Sequence, residues 1–239
     1  MDGFPASERS ASATGWQCEV HVGRIQDLRA AHLTLLSAPE LVRARQYRLA
    51  ADSDRSLLGA VLLRMAAARH LGIRPDEVAV DRTCGRCGVQ HGRPQLPGNS
   101  LQASVSHSGE IVAVAITSAG PVGVDVEAVR SIDFAAMTDR VCTPGERNHV
   151  HAAADFFIFW TRKEAVLKAT GEGLLRPMTD LEVAPPGSAP ALLRLGAGAP
   201  PACQMSDISA GNGYQACVAV LAADPVTFST LPASELLAS

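Results

Sequence analysis

Lysine is almost missing from this chain. Only Lys163 and Lys168 are lysine among 21 basic residues, and the remaining basic residues are arginine. Acidic residues number 24, which gives a formal net charge of −3. This balance excludes a generally basic protein that coats nucleic acid, although it allows a local basic patch. Abundant alanine and glycine indicate a coding bias against lysine, but that bias does not explain why both lysines lie five positions apart.

Cysteine and long apolar runs are also scarce. Six cysteines in 239 residues do not suggest a disulfide framework. The interval 111–124 is the longest uncharged stretch with a strong apolar run, and it is too short to span a bilayer and is interrupted by Gly120 and Pro121. Residues 1–15 are polar and contain no apolar stretch of signal-peptide length. We therefore expect a disordered tail over 1–15 and a cytoplasmic protein without a membrane segment.

Strand-like and helix-like segments alternate along the rest of the chain. The patterns predict strands at 17–24, 101–106, 111–117, 122–127 and 214–222, and helices at 39–48, 57–71, 134–141, 144–153 and 155–170. A Gly-Pro break divides the chain into an N-terminal half, 16–119, and a C-terminal half, 120–239. Each half combines strands with one long amphipathic helix, which predicts an α+β fold with a site between the halves.

The first cluster of candidate site residues is an acidic strand. Gly123-Val-Asp-Val-Glu places Asp125 and Glu127 two residues apart. Alternate side chains of a strand share a face, so both carboxylates point one way while Val124 and Val126 point into the core. Two convergent carboxylates suit Mg²⁺, which takes its other ligands from waters and substrate phosphates. A half-buried strand with a solvated acidic face has the same alternation, so this motif alone leaves both interpretations open.

The second cluster is the segment that holds both lysines. Trp160, Glu164 and Lys168 are spaced i, i+4 and i+8, so they share one face of a helix. A Glu–Lys pair at this spacing is also common on helix surfaces. Two features favour a site: the flank is very apolar, and a compact ammonium is kept where arginine serves elsewhere. Glu164 can supply a third metal oxygen or act as a base, and Lys168 can neutralise a phosphate.

With these residues described, the chain resembles the larger, surfactin-synthetase-activating type of 4'-phosphopantetheinyl transferase. That family has a Gly-hydrophobic-Asp-hydrophobic-Glu strand, followed by Trp-x-x-Lys-Glu-Ala-x-x-Lys-x-x-Gly-x-Gly. The matching residues, in family order, are Arg55-Ser-Leu-Leu-Gly, Gly92-Arg-Pro, Ser104-Val-Ser-His-Ser-Gly, Gly123 to Glu127, and Trp160, Lys163, Glu164, Ala165, Lys168, Gly171 and Gly173. Five motifs in family order are a specific signal, whereas any one of them alone is weak.

The resemblance implies an activity and a set of site residues. Enzymes of this family move the phosphopantetheine arm of coenzyme A onto a serine of an acyl or peptidyl carrier protein and release adenosine 3',5'-bisphosphate. Asp125, Glu127 and Glu164 are implied as ligands of Mg²⁺, and Lys168 as a partner of the phosphate groups. Either Glu164 or Glu127, directly or through water, is implied as the base that accepts the serine proton.

The resemblance also implies a nucleotide site and an architecture. Four basic residues are expected to hold the nucleotide end of coenzyme A and two serines to add neutral donors: Arg43, Arg55, Arg93 and His107, with Ser56 and Ser106. Arg45 is an alternative to Arg43. The implied fold is two similar α/β halves about a pseudo-twofold axis, active as a monomer on polyketide and nonribosomal-peptide carriers.

The sequence also contains one further candidate motif, and it bears on two other functions. Cys84-x-x-Cys87-x-x-x-His91 has the spacing of part of a zinc site, with Asp81 or a distant cysteine as a candidate fourth ligand, but a Gly-rich turn with two buried or loosely placed thiols is the favoured interpretation. A catalytically silent module that binds coenzyme A or a carrier would not need three carboxylates and Lys168. A Mg²⁺-dependent phosphohydrolase of another family would be expected to carry further Asp/His clusters, which the sequence lacks.

Overall fold

The computed structural model describes residues 15–84, 87–90, 92–98, 100–131 and 133–238. The predicted tail lies outside these residues except for Gly15, and so does His91 of the suggested zinc motif. The helices are α1 Ala38–Arg45, α2 Ala50–Leu71, α3 Phe134–Val141, α4 Pro144–Arg147, α5 Ala153–Thr170 and α6 Ser234–Leu237. The strands are β1 Trp16–Arg24, β2 Gln102–Ser108, β3 Ile111–Thr117, β4 Val122–Ala128, β5 Leu181–Val183, β6 Leu192–Leu195, β7 Gln204–Asp207, β8 Tyr214–Val220 and β9 Val226–Pro232.

Most of the predicted elements are confirmed within a few residues, but α2 begins seven residues before the helix predicted over 57–71, and the helix predicted over 144–153 is wrong in length. It ends at Arg147 as α4. The carboxylate of Asp155 accepts hydrogen bonds from the backbone nitrogens of His151 and Ala152, each at 2.9 Å. Those two N–H groups are the donors that a continuing helix would have used, so α5 begins as a separate helix.

Two sheets form the centre of the molecule. The first has the strand order β2-β3-β1-β9, and the second has the order β4-β8-β7. Strands β5 and β6 pair separately as an antiparallel ribbon. Strand β9 lies in the predicted C-terminal half but runs parallel to β1, with Val20 opposite Thr230. The last strand of the chain therefore completes the sheet that the first strand begins.

The sheets and helices stack in four layers. Apolar side chains of β1 and β3 pack against those of β4 and β8, which joins the sheets face to face; Val20, Val124 and Val218 belong to this buried cluster. Helix α2 covers the outer face of the first sheet, and α5 covers the outer face of the second. This is a mixed α+β fold, as predicted. No helix among the described residues is both long and apolar enough to cross a membrane.

Strand β4 and helix α5 approach each other unusually closely at Gly123. A Cβ atom added at this position would lie 2.0 Å from the carbonyl oxygen of Ala165 and 2.6 Å from the backbone nitrogen of Ala169. Real side chains do not tolerate such separations, so only glycine allows this contact. The glycine that opens the acidic motif therefore brings the carboxylate-bearing strand against the lysine-bearing helix.

Gly123→Ala is expected to destabilise the protein by about 1–3 kcal/mol, because the added methyl group forces β4 and α5 apart. The free energy of unfolding in urea is the measurement. Gly198→Ala is the matched control, since nothing lies within 4 Å of a Cβ atom at that position. Equal stability of the two variants would contradict the close contact.

Candidate active site

Three serines of β2 join the two sheets at their common corner. The backbone nitrogens of Val124, Val126 and Ala128 on β4 donate to the hydroxyl oxygens of Ser104, Ser106 and Ser108, at 3.1, 3.4 and 3.1 Å respectively. Alternate residues of β2 and of β4 take part, because successive side chains of a strand point to opposite faces. The hydroxyl groups stand where a neighbouring strand would offer carbonyl groups. We call this row of contacts the serine seam.

The carboxylate of Asp125 is held on one oxygen only. Its Oδ1 accepts hydrogen bonds from Ser106 Oγ at 2.8 Å and from Lys168 Nζ at 2.6 Å. The ammonium group also donates to Ser106 Oγ and to the carbonyl of Val124, at 2.9 and 3.0 Å. Asp125 is 4% exposed, and its Oδ2 has no hydrogen-bond partner among the described residues. The strand, the helix and the seam thus meet at this one side chain.

Two glutamates complete the acidic group. Glu127 accepts a hydrogen bond of 2.6 Å from Ser108 Oγ, and Glu164 is 8% exposed on α5. Burial, followed by the charges of Asp125 and Glu127, raises the pKa of Glu164 to about 6. Burial and the charge of Asp125 also raise the pKa of Glu127, against the hydrogen bond from Ser108. The three carboxylates therefore lie within each other's electrostatic field in a poorly solvated place.

The donor set fits a divalent cation, although no three metal-binding side chains among the described residues stand ready at ligand spacing. Buried side-chain polar atoms are normally hydrogen-bonded, and each exception needs an explanation. Two of the four exceptions among the described residues are carboxylate oxygens of this group, Asp125 Oδ2 and Glu164 Oε1. A hard cation binds to carboxylate oxygens, so these unpaired oxygens are suitable ligands for one. Its positive charge would also favour the ionised form of the glutamates whose pKa is raised.

A basic pocket lies on the face of β2 opposite to the one that contacts the carboxylates. It has a volume of about 160 Å³ and is lined by Arg43, Tyr47, Arg55, Ser56, Gly59, Arg82, Val105 and His107. The Nε of Arg43 is buried and has no partner among the described residues. Arg55 donates to the carbonyl of Gly109 at 2.5 Å and pairs with Asp52. Of the two candidates on α1, Arg43 lines the pocket, while Arg45 is exposed and is not part of its wall.

Burial and neighbouring positive charges lower the pKa values of two basic residues in this pocket. Burial, followed by the charge of Arg43, lowers the pKa of Arg82 to about 10. Desolvation, followed by the charge of Arg55, lowers the pKa of His107, although part of its ring is open to solvent. A cluster of cations that raise each other's energy binds an anion favourably, since the anion removes the repulsion. Arg82 is not among the residues predicted for this site, since it follows a short apolar run and belongs to no recognisable motif.

Two residues predicted for the nucleotide end do not line this pocket. Ser106 lies beneath Asp125 in the seam. Arg93 donates to the carbonyls of Lys168 and Ala169 at the end of α5, at 3.3 and 3.2 Å, and to the side chain of Gln102. Helix ends leave carbonyl groups without intrahelical partners, and a cation there is favourable. Contact of Arg93 and Ser106 with a nucleotide stays a prediction. In the structure both residues donate hydrogen bonds to the C-terminal half of the chain.

The two lysines have different environments, so only one of them belongs to the site. Lys163 is fully buried on the far side of α5, where its Nζ lies 2.5 Å from Glu146 Oε2. Its other acceptors are three carbonyls, those of Val141, Met178 and Leu181, at 2.7 to 3.0 Å. A small ammonium group satisfies acceptors converging from several directions, which a planar guanidinium does not. The interpretation of both lysines as markers of the site is therefore wrong for Lys163.

Known proteins of one enzyme family are similar to this chain in sequence. A model of the 4'-phosphopantetheinyl transferase superfamily matches residues 121–219, and a model described as 4'-phosphopantetheinyl transferase, N-terminal, matches residues 25–119. The 4'-phosphopantetheinyl transferase HetI of Nostoc sp. is 29% identical over 222 residues, 84% of this chain and 87% of that protein. A 4'-phosphopantetheinyl transferase of Bacillus subtilis is 30% identical over 63% of this chain and 67% of its own length. The 4'-phosphopantetheinyl transferase psf-1 of Bacillus pumilus is 34% identical over 55% and 56% of the two chains.

These matches define a transferase of the phosphopantetheinyl class, and the class predicted from the motifs is confirmed. The chain belongs to the 4'-phosphopantetheinyl transferase superfamily. Membership implies the transfer of phosphopantetheine to carrier proteins.

Glu164→Gln is expected to stabilise the metal-free protein above pH 6. A carboxyl whose pKa rises on folding from 4.5 to about 6 binds its proton more tightly in the folded state, so its contribution to stability is lost as the pH rises through that range. The shift corresponds to up to about 2 kcal/mol, which the neutral amide restores. Melting temperatures in a chelating buffer at pH 4 and pH 8 give the measurement.

Glu172→Gln provides the control for this charge change. Its pairing with Arg176 lowers the pKa of Glu172, so the control variant is expected to lose a little stability at pH 8 instead of gaining it. A gain of the same size in both variants would show that net charge, and not the burial of Glu164, is responsible.

Lys163→Met is expected to destabilise the protein by about 3–5 kcal/mol, since it leaves the Glu146 carboxylate buried without its cation. Lys168→Met is the comparison, with a smaller expected loss because Asp125 keeps its bond from Ser106 and the Lys168 side chain is 28% exposed. Urea unfolding of both variants at pH 7 measures the difference. A larger loss in Lys168→Met would reverse the roles assigned to the two lysines.

Proposed function

We propose that this protein transfers the 4'-phosphopantetheine arm of coenzyme A to a serine of an apo carrier protein, with Mg²⁺, and releases adenosine 3',5'-bisphosphate. The observation that carries the proposal is the position of the basic pocket relative to the carboxylates. Ser106 contacts Asp125, while the next residue, His107, lines the pocket on the other face of β2. A ligand with phosphates at two separate points, such as coenzyme A, can engage both places at once.

The nucleotide end of coenzyme A is assigned to the basic pocket. Arg43, Arg55 and His107 face the 3'-phosphate, and Ser56 adds a neutral donor at the pocket wall. Arg82 lines the same wall and adds a further positive charge. Arg93 and Ser106 support this end indirectly, through α5 and the seam.

The pyrophosphate is assigned to the carboxylate group, where Asp125, Glu127 and Glu164 would hold Mg²⁺. When bound, the cation would offset the negative charge that develops on the transferring and leaving phosphates. Lys168 is 28% exposed and shares this task as the nearest protein cation. Its ion pair with Asp125 keeps the ammonium group in place before the substrate arrives.

The reaction replaces a phosphoanhydride bond of coenzyme A with a phosphoester bond to the carrier serine. The carrier serine oxygen bonds to the phosphorus of the phosphopantetheine phosphate, and the bond from that phosphorus to the leaving bisphosphate breaks. Glu164 or Glu127, directly or through water, accepts the proton of the serine hydroxyl. In the metal-free protein, burial raises the pKa of Glu164 to about 6, and a carboxylate in this range is suited to accept a proton near neutral pH.

Further properties follow by analogy with the family. We infer polyketide or nonribosomal-peptide carriers as partners, and activity as a monomer in the cytoplasm. We also infer that the halves 16–119 and 120–239 are related by a pseudo-twofold axis. The four layers are consistent with that relation, since each half supplies one long helix outside one sheet.

Asp125→Ala is expected to abolish transfer, because it removes the carboxylate that both Ser106 and Lys168 hold. An apo carrier domain is incubated with coenzyme A, Mg²⁺ and each enzyme, and mass spectrometry reads the added arm. Asp224→Ala, at an exposed aspartate near the start of β9, is the control and keeps full activity.

No mass gain with the wild-type enzyme, over several acyl and peptidyl carriers, would overturn the proposed function. Full activity of Asp125→Ala would remove Asp125 from the reaction. Melting temperatures of all three proteins verify that each of them is folded.

A further inference from the structure

The serine seam does more than join two sheets, because two of its three hydroxyl groups also donate to carboxylates of the candidate site. Ser106 Oγ donates to Asp125 at 2.8 Å, and Ser108 Oγ donates to Glu127 at 2.6 Å. Ser104 accepts the same kind of backbone bond, at 3.1 Å, and contacts neither carboxylate. Ser104 therefore serves as a comparison for Ser106 and Ser108, since it makes the backbone contact without the carboxylate contact.

Each of these two hydroxyl groups has a defined direction. A hydroxyl has one proton to donate and two lone pairs with which to accept. Ser106 accepts from Lys168 Nζ and from the backbone of Val126, which commits its proton to Asp125. Ser108 accepts from the backbone of Ala128, which turns its proton toward Glu127. Backbone N–H groups of β4, together with Lys168 in the case of Ser106, thus favour donation of both side-chain protons to the carboxylates.

The hydrogen bonds from these serines reach only one oxygen of each carboxylate. Ser106 and Lys168 both occupy Oδ1 of Asp125, and Oδ2 stays buried without a partner. Ser108 likewise occupies Oε2 of Glu127. Hydrogen bonds to one oxygen restrict the rotation of a carboxylate, so they also limit the directions in which its other oxygen can point. Hydrogen bonds that orient metal ligands in this way typically change metal affinity by 10–100-fold.

We propose that Ser106 and Ser108 are positioning residues that fix the metal-binding orientation of Asp125 and Glu127 from the opposite sheet. The inference rests on the proposed function, since it takes these carboxylates as cation ligands. The N-terminal half would then contribute to the metal site through hydrogen bonds to the ligands, although it supplies no ligand itself. Ser104 serves only to hold the sheets together.

The test is a titration of the purified protein with Mn²⁺ alone, in which electron paramagnetic resonance reads unbound Mn²⁺. Ser106→Ala and Ser108→Ala are expected to weaken Mn²⁺ binding by about 10-fold or more, while Ser104→Ala changes it less than about twofold. Ser108→Thr keeps a hydroxyl group and is expected to restore the affinity. Melting temperatures without metal show that the three alanine variants are folded.

The same variants give a second readout in the transfer assay. Activity of Ser108→Ala is expected to recover as Mg²⁺ is raised, whereas Ser104→Ala needs no additional Mg²⁺. Equal Mn²⁺ affinity in wild type and Ser108→Ala, or equal weakening in Ser104→Ala, would overturn the inference. Absence of Mn²⁺ binding in the wild type would overturn it together with the metal site. The predicted order of Mn²⁺ affinities without any carrier modification would overturn the transferase proposal alone.

Discussion

The buried Asp125 carboxylate is the point at which strand β4, helix α5 and strand β2 depend on one another. Its Oδ1 accepts hydrogen bonds from Lys168 of the helix and from Ser106 of the opposite sheet, while its other oxygen has no partner among the described residues. A buried charge is costly unless it is paired, so the three elements must keep these positions together. Gly123 makes this possible, since any side chain there would separate the strand from the helix.

The halves of the chain are joined by side chains where a continuous sheet would have used backbone. Three serine hydroxyls accept hydrogen bonds from the N–H groups along one edge of β4, and two of them also donate a hydrogen bond to a carboxylate. Because hydroxyl groups have a donor as well as acceptors, this junction reaches the site in a way that carbonyl groups would not. Strand β9 adds a second junction, since it returns to pair with β1. The carboxylates therefore lie on the C-terminal half of the chain, and the residues that line the basic pocket lie on the N-terminal half.

The lysines show how one residue type serves two physical purposes on one helix. Lys168 is partly exposed and neutralises a site carboxylate, whereas Lys163 neutralises Glu146 inside the C-terminal core. Both positions require a compact ammonium group among converging oxygens, which explains why arginine has not replaced either one. Scarcity of lysine thus indicates geometric constraint, and catalysis is only one source of it.

Much of the site was predictable from sequence, because it depends on periodicity. Alternation along β4 places Asp125 and Glu127 together, and the i, i+4 spacing on α5 places Glu164 beside Lys168. Long amphipathic helices and regular strands were predicted for the same reason, while β5, β6, β7 and β9 were not, since they are short or follow loop-rich segments. Tertiary structure alone decided that Lys163 points into the core, that Arg93 binds the end of α5, and that Arg82 joins the basic pocket. These outcomes depend on contacts between elements that are far apart in the sequence. The spacing of residues within one helix or strand does not determine which distant element packs against it.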